Sequence, residues 1–239
     1  MIATIIGKFV SVPSEGGSNI FLNPFSYLLL RKEKQLLHHF DSIMVDGQFL
    51  VSLVNLFLGK KLKRSSFDMT SLAPVTFLTA MERGKSVYLI GTDENSINCA
   101  VVRFKERYPL LHICGWRNGF FHSATERVES IVTICRLAPE IVVVGMGTPR
   151  QEKFLIDLKK SGWNGTGYTC GGFFHQTAKR IDYYPRWADK CHLRWVYRII
   201  DEPKLLRRYS VDYSFFLVLF LLDLVRYKCK PYNADGARH

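Results

Sequence analysis

The sequence predicts an α/β fold: a mostly parallel β-sheet flanked by helices, with a helical C-terminal appendage. Three observations predict it. Six short apolar runs rich in β-branched residues, at 19–22, 42–45, 87–90, 111–114, 141–144 and 167–170, are each followed by Gly, Asn, Asp or Pro and then by a helical pattern. Such runs are the mark of strands covered on both faces. Helix starts are legible between them, and from about residue 185 onward the pattern is helical only. The expected class is therefore Rossmann-like, divided into an α/β domain over 1–190 and a basic, apolar helical appendage over 191–239.

The run at 19–22 leads into Asn23-Pro24, an N-cap with proline at the first helical position, where no backbone N–H is needed. The run at 42–45 leads into Asp46-Gly47, and the run at 87–90 into Gly91-Thr92. After 141–144 comes Gly145-Met146-Gly147-Thr148-Pro149, in which Thr148-Pro149 repeats the cap-and-proline chemistry with Glu152 close behind. The run at 167–170 ends in Gly171-Gly172. In parallel sheets ligands gather outside the carboxyl ends of the strands, so these loops are where function is expected. The appendage holds a helix over 193–200, a break at Asp201-Glu202-Pro203, and a second helical stretch from Leu205. Its apolar segment, 215–222, is followed by Arg226, Lys228 and Lys230. That segment is far shorter than the roughly 20 apolar residues that span a bilayer, so it is expected to lie on a membrane or pack on protein.

With 239 residues, 47% of them hydrophobic, the chain is expected to bury one substantial core and a small appendage. The polar stretch Ser14 to Ser18 interrupts the N-terminal region where a secretory signal would need a long apolar run. Six scattered cysteines without a C-x-x-C pair fit reduced thiols in the cytoplasm. The formal charge of +12 attracts nucleic acid, anionic lipid or phosphorylated substrates alike. Residues 179–239 carry 13 Lys/Arg against 7 Asp/Glu, half the net excess, so an anionic partner is expected to dock there. No recognised nucleic-acid motif occurs, and the basic residues cluster round an apolar helix rather than an aromatic stacking sheet, so no nucleic-acid partner is expected.

Asp46 sits at the mouth of the sheet beside a glycine that lets a ligand approach the backbone, and it is either a general base for an attacking hydroxyl or an ordinary helix cap. The stretch from Gly145 to Glu152 joins glycines to a helix N-terminus, whose free N–H groups favour phosphate oxygens; the competing reading is a structural turn. Arg194, Arg198, Arg207 and Arg208, with Trp195, Tyr197 and Tyr209 among them, can grip a diphosphate or form a solvated basic face. Asp-x-Asp is absent, the histidines lack ligand spacing, and there is no Gly-x-Ser-x-Gly elbow. Neither a metal, another cofactor nor a serine nucleophile is expected.

In combination these motifs resemble the WecG/TagA/CpsF glycosyltransferases, family 26 of the sequence-based classification. The resemblance runs from about Asn19 to Tyr209. It is carried by Leu22-Asn23-Pro24, Val45-Asp46-Gly47, Arg64 with Asp68-Met69-Thr70, Tyr88 to Gly91, Gly119-Phe120-Phe121, Pro139-Glu140-Ile141, the string Gly145 to Glu152, Gly171-Gly172, and Trp195 to Arg198 with Glu202-Pro203. It implies an inverting, metal-independent transfer of a sugar such as ManNAc, ManNAcA or glucose. The donor would be a UDP-sugar and the acceptor an undecaprenyl-diphosphate-linked saccharide, in the synthesis of bacterial surface polysaccharide. Asp46 matches the family's proposed base, and Gly147, Thr148, Pro149, Gln151 and Glu152 match its nucleotide-sugar loop. Arg198, Arg207 and Arg208 match its appendage, thought to cover the diphosphate and to touch the membrane. Asn23, Gly47, Arg64, Asp68, Thr70, Gly91, Gly171, Gly172 and His175 are the further substrate-binding positions expected from these motifs. Two departures stand out: Phe21 where many members have threonine, and Phe174-His175 where many have Phe-Asp, so that His175 either replaces a carboxylate or fills space.

The expected setting is cytoplasmic and peripheral, on the anionic inner face of the plasma membrane, with a subunit interface of a homo-oligomer as the competing use of the apolar helix. The rival from another class is a non-enzymatic basic protein that binds nucleotide or nucleic acid. A Rossmann-type dehydrogenase lacks its dinucleotide fingerprint here.

Overall fold

The computed structural model describes residues 1–185, 187–188, 191 and 193–229. Residues 230–239, Lys230 among them, lie outside the described residues. A short helix α1 (Ile2–Ile5) precedes six strands: β1 (Ser18–Leu22), β2 (Ser42–Val45), β3 (Val87–Gly91), β4 (Ile113–Arg117), β5 (Ile141–Gly145) and β6 (Thr166–Thr169). They form one sheet in the order β2-β1-β6-β5-β3-β4, with every pairing parallel. The Rossmann-like α/β class expected from the sequence is the class observed.

Helices α2 (Pro24–Lys32), α3 (Gln48–Leu58), α4 (Leu72–Glu82), α5 (Glu94–Arg107), α6 (Ala124–Leu137), α7 (Arg150–Lys160) and α8 (Phe173–Lys179) connect or follow the strands. The central runs β3 and β5 are apolar almost throughout because both sheet faces are covered there. Tyr88, Ile90, Val142 and Val144 enter one core, shared with α2, α3 and α7. Val87, Leu89, Ile141 and Val143 enter the other, shared with α4, α5 and α8.

Local chemistry sets the boundaries. At α2, Asn23 Oδ1 accepts from Ser26 N at 2.9 Å and Ser26 Oγ accepts from Asn23 N at 2.8 Å, a reciprocal cap with Pro24 at the first position. At α7 the cap differs from expectation. Pro149 holds the cap position, and the Thr148 hydroxyl donates to Glu152 Oε1 at 3.1 Å instead of receiving a backbone N–H. The fourth strand starts two residues later than the run at 111–114 suggested, because β4 is an edge strand whose ladder to β3 carries a register shift. Leu111 is buried in the loop before it.

After α8 the chain runs through α9 (Arg194–Asp201), a π-helical turn at Arg208–Asp212, and α10 (Tyr213–Lys228). Phe216, Phe220 and Leu224 of α10 belong to the first core, and Phe216 meets the buried Tyr27 ring edge-on at 5.1 Å. The buried Asp223 carboxylate accepts from Tyr27 Oη and Arg31 Nε, both at 2.8 Å. Among the described residues no helix is long and apolar enough to cross a membrane.

Candidate active site

A cleft of about 770 Å³ opens across the carboxyl ends of β1, β2, β3, β5 and β6 and is roofed by α9 and the start of α10. Of the substrate-binding positions expected from the sequence, Asn23, Gly47, Arg64, Asp68, Gly147, Thr148, Gln151, Gly171, Gly172, Arg198 and Arg208 line it together with Asp46. Thr70, Gly91, Pro149, Glu152, His175 and Arg207 are not among the lining residues.

Asp46 extends the β1–β2 ladder by donating its N–H to Leu22 O at 2.9 Å, and the helix that follows takes Gly47, at φ +90°, as its cap position. A side chain is disfavoured at that φ, so glycine makes the turn and leaves the Asp46 carboxylate to the cleft. The cap reading of Asp46 therefore does not apply. Its Oδ1 lies 3.1 Å from Arg64 Nη2, and the same nitrogen lies 3.0 Å from Asp68 Oδ2. Asp68 Oδ2 also accepts from Ser66 Oγ at 2.7 Å and meets Arg194 Nη1 at 3.3 Å, while Thr70 N and Oγ1 donate to Oδ1 at 2.9 and 2.5 Å. Thr70 thus fixes Asp68 from behind.

The two carboxylates are driven apart. Burial raises the pKa of Asp46; Arg64 opposes this, the negative charge of Asp68 adds to it, and Arg194 and the Gly47 amide oppose it further, with a net upward shift. Burial also acts on Asp68, but Arg64, Arg194 and the hydroxyls of Thr70 and Ser66 outweigh it and hold Asp68 below the usual carboxylate range. A carboxylate with raised basicity facing a cleft is suited to accept a proton from a hydroxyl.

The opposite wall is cationic. Arg198 Nη2 pairs with Glu202 Oε1 at 3.1 Å, and its buried Nε has no hydrogen-bond partner among the described residues. The Arg208 guanidinium lies 3.6 Å from the Phe25 ring centroid. These donors, with the backbone at Gly147, are suited to hold phosphate oxygens. Glu152 is turned from the cleft: it is 1% exposed, accepts from Gln151 Nε2 at 3.0 Å, and is raised by burial. A Cβ at Gly91 would land on the carbonyl of Gly145, so that glycine allows β3 and β5 to end side by side. Tyr184, Tyr213, Phe49 and Gln176 also line the cleft, and no spacing in the sequence signals them. Among the described residues, no group of three or more His, Cys, Asp or Glu is placed to hold a metal ion.

Fold and cleft together define an α/β protein with a charged cleft along the carboxyl edge of its parallel sheet. The model of the glycosyl transferase WecG/TagA/CpsF family matches residues 3–230, and the chain belongs to that family. The chain is 34% identical over 203 residues to a UDP-Gal:alpha-D-GlcNAc-diphosphoundecaprenol beta-1,4-galactosyltransferase of Shigella boydii, with 85% of each chain covered. It is 27% identical to N-acetylglucosaminyldiphosphoundecaprenol N-acetyl-beta-D-mannosaminyltransferases of Bacillus subtilis strain 168, over 124 residues, 52% of this chain and 47% of that one, and of Bacillus spizizenii strain W23, over 171 residues, 70% and 63%. It spans less than two thirds of either Bacillus relative. The non-enzymatic alternative falls with the family assignment: the chain is a glycosyltransferase.

Proposed function

We propose that this glycosyltransferase moves a sugar from a UDP-sugar to a GlcNAc-diphosphate-polyprenol at the inner face of the plasma membrane, inverting the anomeric centre. The observation that carries the reading is Asp46, with its raised basicity, in one cleft with Arg194, Arg198 and Arg208. The acceptor hydroxyl oxygen forms a bond to the anomeric carbon as the bond from that carbon to the UDP oxygen breaks. The hydroxyl proton passes to Asp46, and UDP leaves with the electron pair on its terminal phosphate oxygen. Arg198, Arg208 and the backbone N–H groups near Gly147 take up that charge, so the step as written uses no metal.

Galactose is the favoured donor sugar, because the relative that is 34% identical and covered over 85% of its length is named for UDP-Gal. Support for a peripheral membrane position comes from α10, whose outward residues Phe215, Val218, Leu222 and Val225 are exposed, with Arg226 and Lys228 in its last turn. The test offers a panel of UDP-sugars with GlcNAc-diphosphate-undecaprenol and reads products by mass spectrometry. A hexosyl-GlcNAc lipid from UDP-galactose is expected; product from a UDP-N-acetylhexosamine alone would overturn the sugar assignment, and no lipid-linked disaccharide from any donor would overturn the reaction.

A further inference from the structure

The apolar lining of the cleft reaches the surface at Phe49 on α3 and at Trp195 on α9, which is 48% exposed. Phe49, on the first turn of α3 just after Asp46, lines the cleft and stacks on Tyr213, ring centroids 6.2 Å apart and planes 12° apart. Phe49 is 42% exposed and Leu56 is 74% exposed. Spacing sets Phe49 and Leu56 on the outward side of α3, and Leu53, partly buried against the first core, flanks them. Tyr213 opens α10, so the two apolar helix faces start from one aromatic pair. Arg194 and Arg198 flank Trp195 on α9, whereas no charged residue stands between Gly47 and Leu58 around Phe49; the rim also carries Gly147, Thr148, Gln151 and Glu202, which offer polar groups or backbone. Lys60, Lys61 and Lys63 follow the end of α3, a cationic margin that suits an anionic lipid surface.

We propose that the outward face of α3, from Phe49 to Leu56 with the half-buried Leu53 at its flank, is the subsite for the first units of the acceptor's isoprenoid chain. This rests on the reaction proposed above. An acceptor whose reacting hydroxyl lies at Asp46 has a hydrocarbon tail that must leave the cleft, and the Phe49–Tyr213 pair is an apolar way out with no charged side chain beside it on α3, three residues after that carboxylate. The tail covers surface that would otherwise face water. Burial of a leucine side chain corresponds to about tenfold or more in affinity.

The experiment compares GlcNAc-diphosphate-undecaprenol with GlcNAc-diphosphate-ethanol, a short acceptor that carries no isoprenoid unit, in detergent micelles and in anionic phospholipid vesicles, using the full chain, Leu56→Ser, and Val102→Ser as a control on α5. Val102 is likewise an exposed apolar residue, and α5 packs on the other sheet face. The expected result is a ratio of kcat/KM, long chain over short, that falls about tenfold in Leu56→Ser through KM and stays at the wild-type value in Val102→Ser, in both media. Equal ratios in the two variants would overturn the subsite while leaving the reaction in place. A ratio that falls in vesicles alone would overturn it in favour of simple bilayer contact, and absence of product from both acceptors would remove the reaction and the subsite with it.

Discussion

Arg64 offers one guanidinium nitrogen to two carboxylates, 3.1 Å from Asp46 and 3.0 Å from Asp68. Asp68 therefore takes up part of the cation that would otherwise acidify Asp46, and its own charge raises Asp46 further. Tyr184, Tyr209 and Tyr213 face the same carboxylate and are themselves raised, chiefly by burial, so they stay protonated around neutrality. Asp46→Asn should lower turnover by about 10²- to 10⁴-fold while leaving UDP-sugar binding nearly intact, as checked by calorimetric titration beside steady-state rates. Asp68→Asn should do something different. With its charge gone, Asp46 loses its proton at lower pH, so the acidic limb of kcat/KM moves to lower pH and the plateau rate declines with the weaker base. A limb that stays in place while the rate declines would mean that Asp68 is only structural.

At the scale of elements, α10 has one buried and one exposed apolar face. Phe216 and Phe220 are at most 1% exposed, whereas Phe215 is 59% exposed. Phe220→Ala should destabilise the fold by about 3–5 kcal/mol in denaturant unfolding. Phe215→Ser should change stability by less than about 0.5 kcal/mol yet reduce sedimentation with anionic vesicles; undiminished sedimentation would remove α10 as the anchoring element. Removing the whole helix would confound the two effects, since it would strip the core of Phe216, Phe220 and Leu224.

Across the whole molecule, Asp223 joins the last helix to Tyr27 and Arg31 in α2. Burial would raise its pKa, but hydrogen bonds from Arg31 and Tyr27 and the N-terminal amine hold it below the ordinary carboxylate value. A depressed folded-state pKa gives stability that is present above the unfolded value and is lost as pH falls through the folded one. Asp223→Asn should therefore lower stability near neutrality by about 3–5 kcal/mol, and the gap to wild type should shrink below roughly pH 4, as followed by thermal melts across pH.

The interior strands β3 and β5 were legible because they are covered on both sides and written as near-continuous apolar runs, and β1 and β6 were legible from shorter apolar stretches and the turn residues after them; β4, at the sheet edge, was legible only approximately. Asp46 could be found because it follows a strand directly. Arg64 and Asp68 could be found only through a motif, since nothing in their spacing says that they share a nitrogen. Tyr184, Tyr213 and Phe49 reach the cleft by packing between distant segments, which periodicity does not encode. Thr70, Gly91 and Glu152 stand in motifs for another reason: they brace, admit or fill behind the groups that face the cleft.

The bond from Asp68 to Arg194 bridges 126 residues, and that from Tyr27 to Asp223 bridges 196. A nascent chain that has already formed its sheet therefore has Asp46 in place but lacks Arg194, Arg198 and Arg208. Only when synthesis has passed the last helix can the two halves meet, so the cleft is the last part of the molecule to be completed.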